Sequence, residues 1–208
     1  MRRSAALALL LICTACTRHL NVPYPYPSTA AAATVPASAA ARPTASPTAA
    51  KLGRAAISAD EAVNYLITRE MEIPVAGKTV KQLQDTFDAG RDGGRVHRAL
   101  DILAARGTPV IAADSGRVLR VSVNRRGGNT IYAVDPEGRI VYYYAHLDAY
   151  QPGLTQGMTI ARGDTLGFVG TTGNAPKDTP HLHFQVMRMP ADGKYWDGEA
   201  INPYPLFL

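Results

Sequence analysis

Pro180-His181-Leu182-His183-Phe184 places two histidines one residue apart among apolar neighbours. The β-prone run Phe184-Gln185-Val186-Met187 continues it and predicts a strand. Residues i and i+2 of a strand point to one face, so His181 and His183 present two imidazoles side by side, roughly 7 Å apart. The chain has five histidines. His97 lies four residues before Asp101, and the two share a face whether that run is extended or helical. His146 follows the β-prone Ile140-Val141-Tyr142-Tyr143-Tyr144 and is expected to close that strand. Only His19, near the N-terminus, is spare.

Catalytic zinc uses three protein ligands drawn from His, Asp or Glu and keeps a fourth position open for water. His97, Asp101 and one of His181 and His183 supply such a set, two neutral imidazoles and one carboxylate. With a divalent ion the site carries a charge of about +1, which suits acidifying water toward a pKa of about 7. His146 and the other paired histidine are then free to handle protons, since imidazole titrates near 6.5. Taken singly, His97 with Asp101 reads as a surface ion pair and His146 as a hydrogen-bonded strand-end residue. Together they favour a catalytic zinc. A structural zinc site would use four protein ligands and leave no role for further histidines. A serine hydrolase is disfavoured, because no Gly-x-Ser-x-Gly elbow occurs. Nucleic-acid binding is disfavoured too. The net charge of +5 falls to about +3 without Arg2 and Arg3, and no basic cluster interleaved with aromatics appears.

The elements that must position these residues follow from the chain in order. Met1-Arg2-Arg3 and the apolar Ala5 to Ile12 form a charged and a hydrophobic region too short for the ~20 residues of a bilayer span. Residues 1–15 therefore read as an export signal. Cys13-Thr14-Ala15-Cys16 resembles a bacterial lipobox, departing from it in having Cys13 where leucine is common. Cleavage before Cys16 would leave that thiol to carry lipid and leave no cysteine for a disulfide or thiolate site. Residues 16–50, rich in Pro, Ala, Ser and Thr, read as a lipidated N-terminus and disordered linker with a reach of roughly 100 Å.

Residues 51–86 read as a helical lead-in. Ser58 and Glu61 fit a capping box, and Ala62, Val63, Leu66, Ile67 and Met71 recur at helical spacing over about four turns. Residues 87–205 form the domain proper. Val110 to Ala113 is expected as a short apolar strand, and Leu119, Val121 and Val123 as the buried face of another. Asp135-Pro136-Glu137-Gly138 turns the strand Thr130–Val134 back onto Ile140–Tyr144. Glycines 153, 157, 163, 167, 170 and 173 punctuate short β-prone pieces, and Trp196 with the Asn202–Pro205 tail is expected to cover the domain edge. The fold class is mainly β, a compact antiparallel sheet preceded by one amphipathic helix.

GRVHRALDI, GTPVIAADSGRVL, YAHLD, GDTLGFVGTTGN and PHLHF occur in the order seen in lysostaphin-type, or LytM-type, zinc endopeptidases of bacterial cell walls, which the chain resembles over about residues 87–205. The resemblance implies the family's compact β fold, the duplicated hybrid motif, with a groove over the metal. It implies that His97, Asp101 and His183 ligate Zn2+, that His181 is the general base and that His146 stabilises the tetrahedral intermediate. The division of work between His146 and His181 is not decided by the residues alone. Ala99 stands where the family usually has glycine, and its methyl is expected to crowd the backbone. The implied reaction is hydrolysis of a peptide bond in peptidoglycan. The alternative is a non-catalytic activator of a cell-wall amidase, the role of family members that have lost ligands. Thr17, rather than Asp, after Cys16 favours the outer membrane, facing the periplasm. If Cys16 carries lipid, a fatty-acid analogue fed to cells should label the wild-type chain and not Cys16→Ser. Absence of label from both would leave a simply secreted protein.

Overall fold

The computed structural model describes residues 57–208. The expected export signal, the Cys16 box, the linker and the first residues of the lead-in lie outside them. Helix α1 (Ala59–Arg69) starts at the expected cap: Ser58 Oγ accepts from Glu61 N, and the Glu61 carboxylate accepts from Ser58 N. It runs for three turns rather than four, because Glu70 adopts a left-handed backbone (φ 48°) that closes it. Ala62 and Leu66 are buried, but Val63 and Ile67 lie on the exposed side, and Met71 is buried just beyond the helix. The arc of true burial is therefore narrower than the apolar pattern.

Polar bonds hold α1 in place. Arg69 donates two hydrogen bonds to the fully buried Asp114 carboxylate at 2.7 and 2.9 Å. Tyr142 Oη donates to the same carboxylate at 3.0 Å, and Ser115 N at 2.7 Å. A charge removed from water is tolerable only with such partners.

Among the described residues eleven strands follow: β1 (Gly90–Arg91), β2 (Arg95–Val96), β3 (Leu100–Leu103), β4 (Pro109–Ile111), β5 (Gly116–Asn124), β6 (Gly128–Val134), β7 (Ile140–Tyr150), β8 (Thr159–Ile160), β9 (Thr165–Val169), β10 (His181–Arg188) and β11 (Ala200–Ile201). β1 and β2 form a small hairpin. The others build one antiparallel sheet in the order β11-β10-β7-β6-β5-β8, with β3 on β10, β9 on β7 and β4 on β9. Strand parity sends Val186, Ala133, Ile140 and Tyr142 into the main core and Met187, Val134 and Val141 into a second cluster on the other face.

Three expectations change. A bulge between Val118 and Arg120 resets the parity of β5. Val118 and Val121 therefore serve the main core, Leu119 serves the second cluster, and Val123 is 71% exposed. The strand expected to reach Ala113 stops at Ile111, and Ala112 and Ala113 are buried in irregular backbone, with Ala113 N donating to Tyr144 Oη. At the domain edge Tyr204 packs on the core as expected, joined by Leu206 and Phe207 beyond the expected tail, whereas Trp196 is 56% exposed.

The loops after β5 and after β9 meet through two glycines. Gly128 and Gly173 have left-handed backbones (φ 64° and 72°), and a Cβ on either would lie 2.3–2.4 Å from the other's amide nitrogen. Gly173→Ala should therefore lower folding stability by more than about 2 kcal/mol, read as a fall in melting temperature. A melting temperature unchanged from wild type would contradict this contact.

Candidate metal centre

The pairing of β10 with β3 sets Asp101 directly opposite His183. On its other side His183 pairs with Ala145 of β7, so this histidine is held between two strands. His97 arrives differently. Between it and Asp101 the chain is neither extended nor helical: Arg98 takes a left-handed backbone (φ 59°), and His97 N and Arg98 N donate to Ala89 O and Phe87 O. This turn brings the His97 ring back onto Asp101. Ala99 follows with no left-handed backbone and its methyl is fully buried, so the strained position is Arg98.

Thr86 fixes both partners. Its carbonyl accepts from His97 Nδ1 at 2.8 Å, and its hydroxyl accepts from Asp101 N at 2.9 Å. The first bond assigns the ring proton of neutral His97 to Nδ1 and leaves a lone pair on Nε2. That Nε2 lies 3.0 Å from His183 Nδ1 and 3.0 Å from Asp101 Oδ1, and the last two atoms are 3.2 Å apart. Arg91 Nη2 holds the other carboxylate oxygen, Oδ2, at 2.5 Å.

His146 and His181 flank this triangle. His146 sits within β7 rather than at its end, where β7 stops pairing with β10 at Ala145 and starts pairing with β9 at Leu147. The β6–β7 register also shifts between Asn129 and Ile131, and His146 has φ 63°. Its N donates to Gly127 O at 2.7 Å and its Nδ1 to Thr172 O at 2.8 Å. A bulge beside a groove with a left-handed non-glycine residue is a costly geometry that re-aims one side chain. His181 Nδ1 donates to Thr179 O at 2.8 Å, and its Nε2 stands 3.8 Å from Asp101 Oδ1. Both rings, when neutral, thus keep an Nε2 lone pair. All five residues line one groove of about 720 Å³.

Burial pushes His146 down to about 4, with the Thr172 hydrogen bond opposing. Burial also lowers His183, against the pull of Asp101. For Asp101 burial acts upward, but hydrogen bonding to His183 and the contact with His97 outweigh it and hold the carboxyl well below the usual carboxylate range. Asp101 is therefore held as an ionised carboxylate and His183 as a neutral imidazole, the protonation states a divalent cation requires of such ligands. The geometry fits as well. A tetrahedral zinc with arms of about 2.0–2.1 Å has ligand edges of about 3.3 Å, against 3.0–3.2 Å in this triangle. Among the described residues these three form the one such group of potential ligands.

The model of peptidase family M23 matches residues 95–203, which hold all five of these side chains. The chain belongs to peptidase family M23. This M23 chain is 28% identical over 152 residues to the L-Ala–D-Glu endopeptidase of Bacillus subtilis (strain 168), covering 70% of this chain and 45% of the relative. It is 30% identical over 113 residues to the uncharacterized lipoprotein YgeR of Escherichia coli (strain K12), covering 54% of this chain and 40% of the relative. The chain thus spans less than half the length of either. Among solved structures, the antimicrobial peptidase lysostaphin from Staphylococcus simulans superposes with a TM-score of 0.50 at 26% identity, over 64% of this chain and 52% of that one. The mainly antiparallel β fold with a preceding helix agrees with the M23 fold.

The structure brings together His97, Asp101, His146, His181 and His183, while Cys16 and the spare His19 lie outside the described residues. Sequence reasoning missed Thr86, Arg91 and Thr172. Each lies in irregular backbone or a two-residue strand, where no periodicity marks it, and two of them act through carbonyls that any residue carries.

The His146 environment has a measurable consequence. Its folded pKa of about 4 lies below the ordinary 6.5, so the unfolded chain takes up the proton first as pH falls. The stability this group contributes is complete above about 6.5 and is lost between there and about 4, by an order of 3 kcal/mol. Ring titration of the metal-free chain by NMR should give a His146 midpoint near 4. A midpoint near 6.5 would contradict the burial argument.

Proposed function

We propose that the chain is a zinc-dependent endopeptidase that hydrolyses peptide bonds in peptidoglycan. The observation that carries this reading is the triangle of His97 Nε2, Asp101 Oδ1 and His183 Nδ1, with two further imidazoles opening on the same groove. A bound zinc would supply Lewis acidity, polarising the scissile carbonyl and acidifying water. His97, Asp101 and His183 would hold it. Arg91, by occupying Asp101 Oδ2, would leave Oδ1 as the ligating oxygen.

His181 is assigned as the base, its Nε2 standing 3.8 Å from Asp101 Oδ1. Its Nδ1–H bond to Thr179 O leaves Nε2 ready to take a proton from water in the groove. As the peptide bond breaks, the same nitrogen returns the proton to the departing amine, giving one carboxylate and one amine. His146, held by Gly127 and Thr172, faces the groove from the other strand and is assigned to steady the tetrahedral intermediate, its Nε2 lone pair accepting a hydrogen bond from the intermediate's hydroxyl. The L-Ala–D-Glu endopeptidase among the relatives supports a peptidoglycan substrate.

The same proposal gives the chain an address. Residues 1–15 would be removed on export, Cys16 would carry lipid, and residues 16–50 would tether the domain to the outer membrane within the periplasm. The lipoprotein YgeR among the relatives supports the anchor. The lead-in of residues 51–86 then contributes α1 as packing and Thr86 as a support of the metal centre.

Purified chain should hold about one zinc, which Asp101→Ala and His183→Ala should lose and His181→Ala and His146→Ala should keep. The last two variants should nevertheless lose cleavage of purified sacculi by about 10²–10⁴, measured as new cross-link ends by mass spectrometry. If the zinc-loaded wild type releases no ends while stimulating an amidase as well as His181→Ala does, the chain is an activator. Equal loss of zinc from His181→Ala and His183→Ala would overturn the division of the pair.

A further inference from the structure

The walls of the groove carry a charge imbalance. Arg91, Arg95, Arg98 and Arg126 line it, and the carboxylates lining it are Asp92 and Asp101. Two of the four guanidiniums are committed. Arg91 is bound to Asp101, and Arg98 pairs with Asp88 at 3.0 Å while lying over the Phe87 ring. The other two are not. Arg95 donates from Nε to the backbone carbonyl of Asp92 at 3.2 Å and has no carboxylate partner among the described residues. The Arg126 side chain has neither an ion pair nor a hydrogen bond among them.

The backbones beneath these two side chains are nevertheless fixed. Arg95 pairs with Arg91 across the β1–β2 hairpin. Arg126 N donates to Asn124 Oδ1 at 3.1 Å, and Arg126 O accepts from Asn174 N at 2.9 Å. Their positions bracket the chemistry. Arg95 is two residues before His97, and Arg126 is next to Gly127, whose carbonyl accepts from His146 N. Both therefore line the groove from anchored backbone, Arg95 two residues from His97 and Arg126 beside the carbonyl that holds His146 N.

We propose that Arg95 and Arg126 read free carboxylates on the bound peptide, so that the groove selects acidic peptides over the same peptides with amidated carboxyl groups. The proposal rests on the reading of this groove as a peptide site. A guanidinium presents paired N–H donors in a rigid fork that matches a carboxylate. A primary amide has nearly the same size but no charge and one acceptor oxygen fewer, so it forfeits the paired contact. Because the groove is open, each contact is modest, and the two together should favour the acidic peptide by about ten-fold. Salt should shrink that preference, since exposed charges are screened.

The test measures equilibrium binding of the full chain to a synthetic tetrapeptide containing D-glutamate, with its carboxyl groups free, and to its twin with those groups converted to primary amides. Wild type should bind the acidic peptide about ten-fold more tightly. The ratio should fall to near one in the Arg95→Gln/Arg126→Gln double variant and below one in Arg95→Glu/Arg126→Glu, with circular dichroism checking the fold. Equal affinity of wild type for the twins, no binding of either, or a preference surviving in the double variant would each overturn the proposal. Binding is read apart from turnover. A chain that cuts both twins without preference keeps the peptidase reading and loses this one, and a chain that prefers the acidic twin but cuts neither does the reverse.

Discussion

Three electron-rich atoms held about 3 Å apart repel one another unless a proton or a cation lies between them. His97 Nε2, Asp101 Oδ1 and His183 Nδ1 are in that position, and the sheet supplies the rigidity that keeps them there. Asp101 and His183 are cross-strand neighbours on β3 and β10, so their approach is part of the ladder itself. His97 has no ladder to hold it and depends on a left-handed turn and the carbonyl of Thr86. The crowding within the triangle leaves a site ready for a cation, and two of its participants have second bonds that fix their orientation, His97 through Thr86 O and Asp101 through Arg91.

The same logic extends to the outer histidines. His146 could not face the groove from a regular β7, because Tyr143 and Ala145 line it and strand parity would send the next residue to the other face. Handing β7 from β10 to β9 at this point frees one residue from the ladder. The loops closing over it meet at Gly128 and Gly173, where any side chain would drive them apart. Thr172, next to Gly173, then offers its carbonyl to His146 and its hydroxyl to Asn129 N. Glycines that look like simple turn punctuation in the sequence are thus the means by which an imidazole is aimed.

Burial and charge divide the groove into two regions. At its floor, low exposure keeps His146 and His183 neutral while Asp101 remains ionised, a combination suited to metal and proton transfer. Its rim is polar and basic, and Arg91 links the two regions by bonding Asp101 from the wall. The helix and the buried Arg69–Asp114 pair lie away from this groove, so the lead-in stabilises the sheet without entering the site, apart from Thr86.

Local spacing determined a good deal. The cap at Ser58, the strand carrying His181 and His183, the turn at Asp135–Gly138 and the mainly antiparallel β class all follow from periodicity and turn chemistry that act within a few residues. The residues of the triangle were legible as candidate ligands for the same reason, since His and Asp at these spacings have few other uses in combination. Spacing could not say which of the paired histidines meets Asp101. That depends on the register of β10 against β3, a pairing across about eighty positions. Nor could it place the bulges at Val118 and His146, end α1 at Glu70, or find Thr86, whose carbonyl is chemically anonymous. These features arise where strands change partners or where backbone groups answer distant side chains. Only the assembled sheet brings those groups within bonding distance, so only the tertiary structure could decide them.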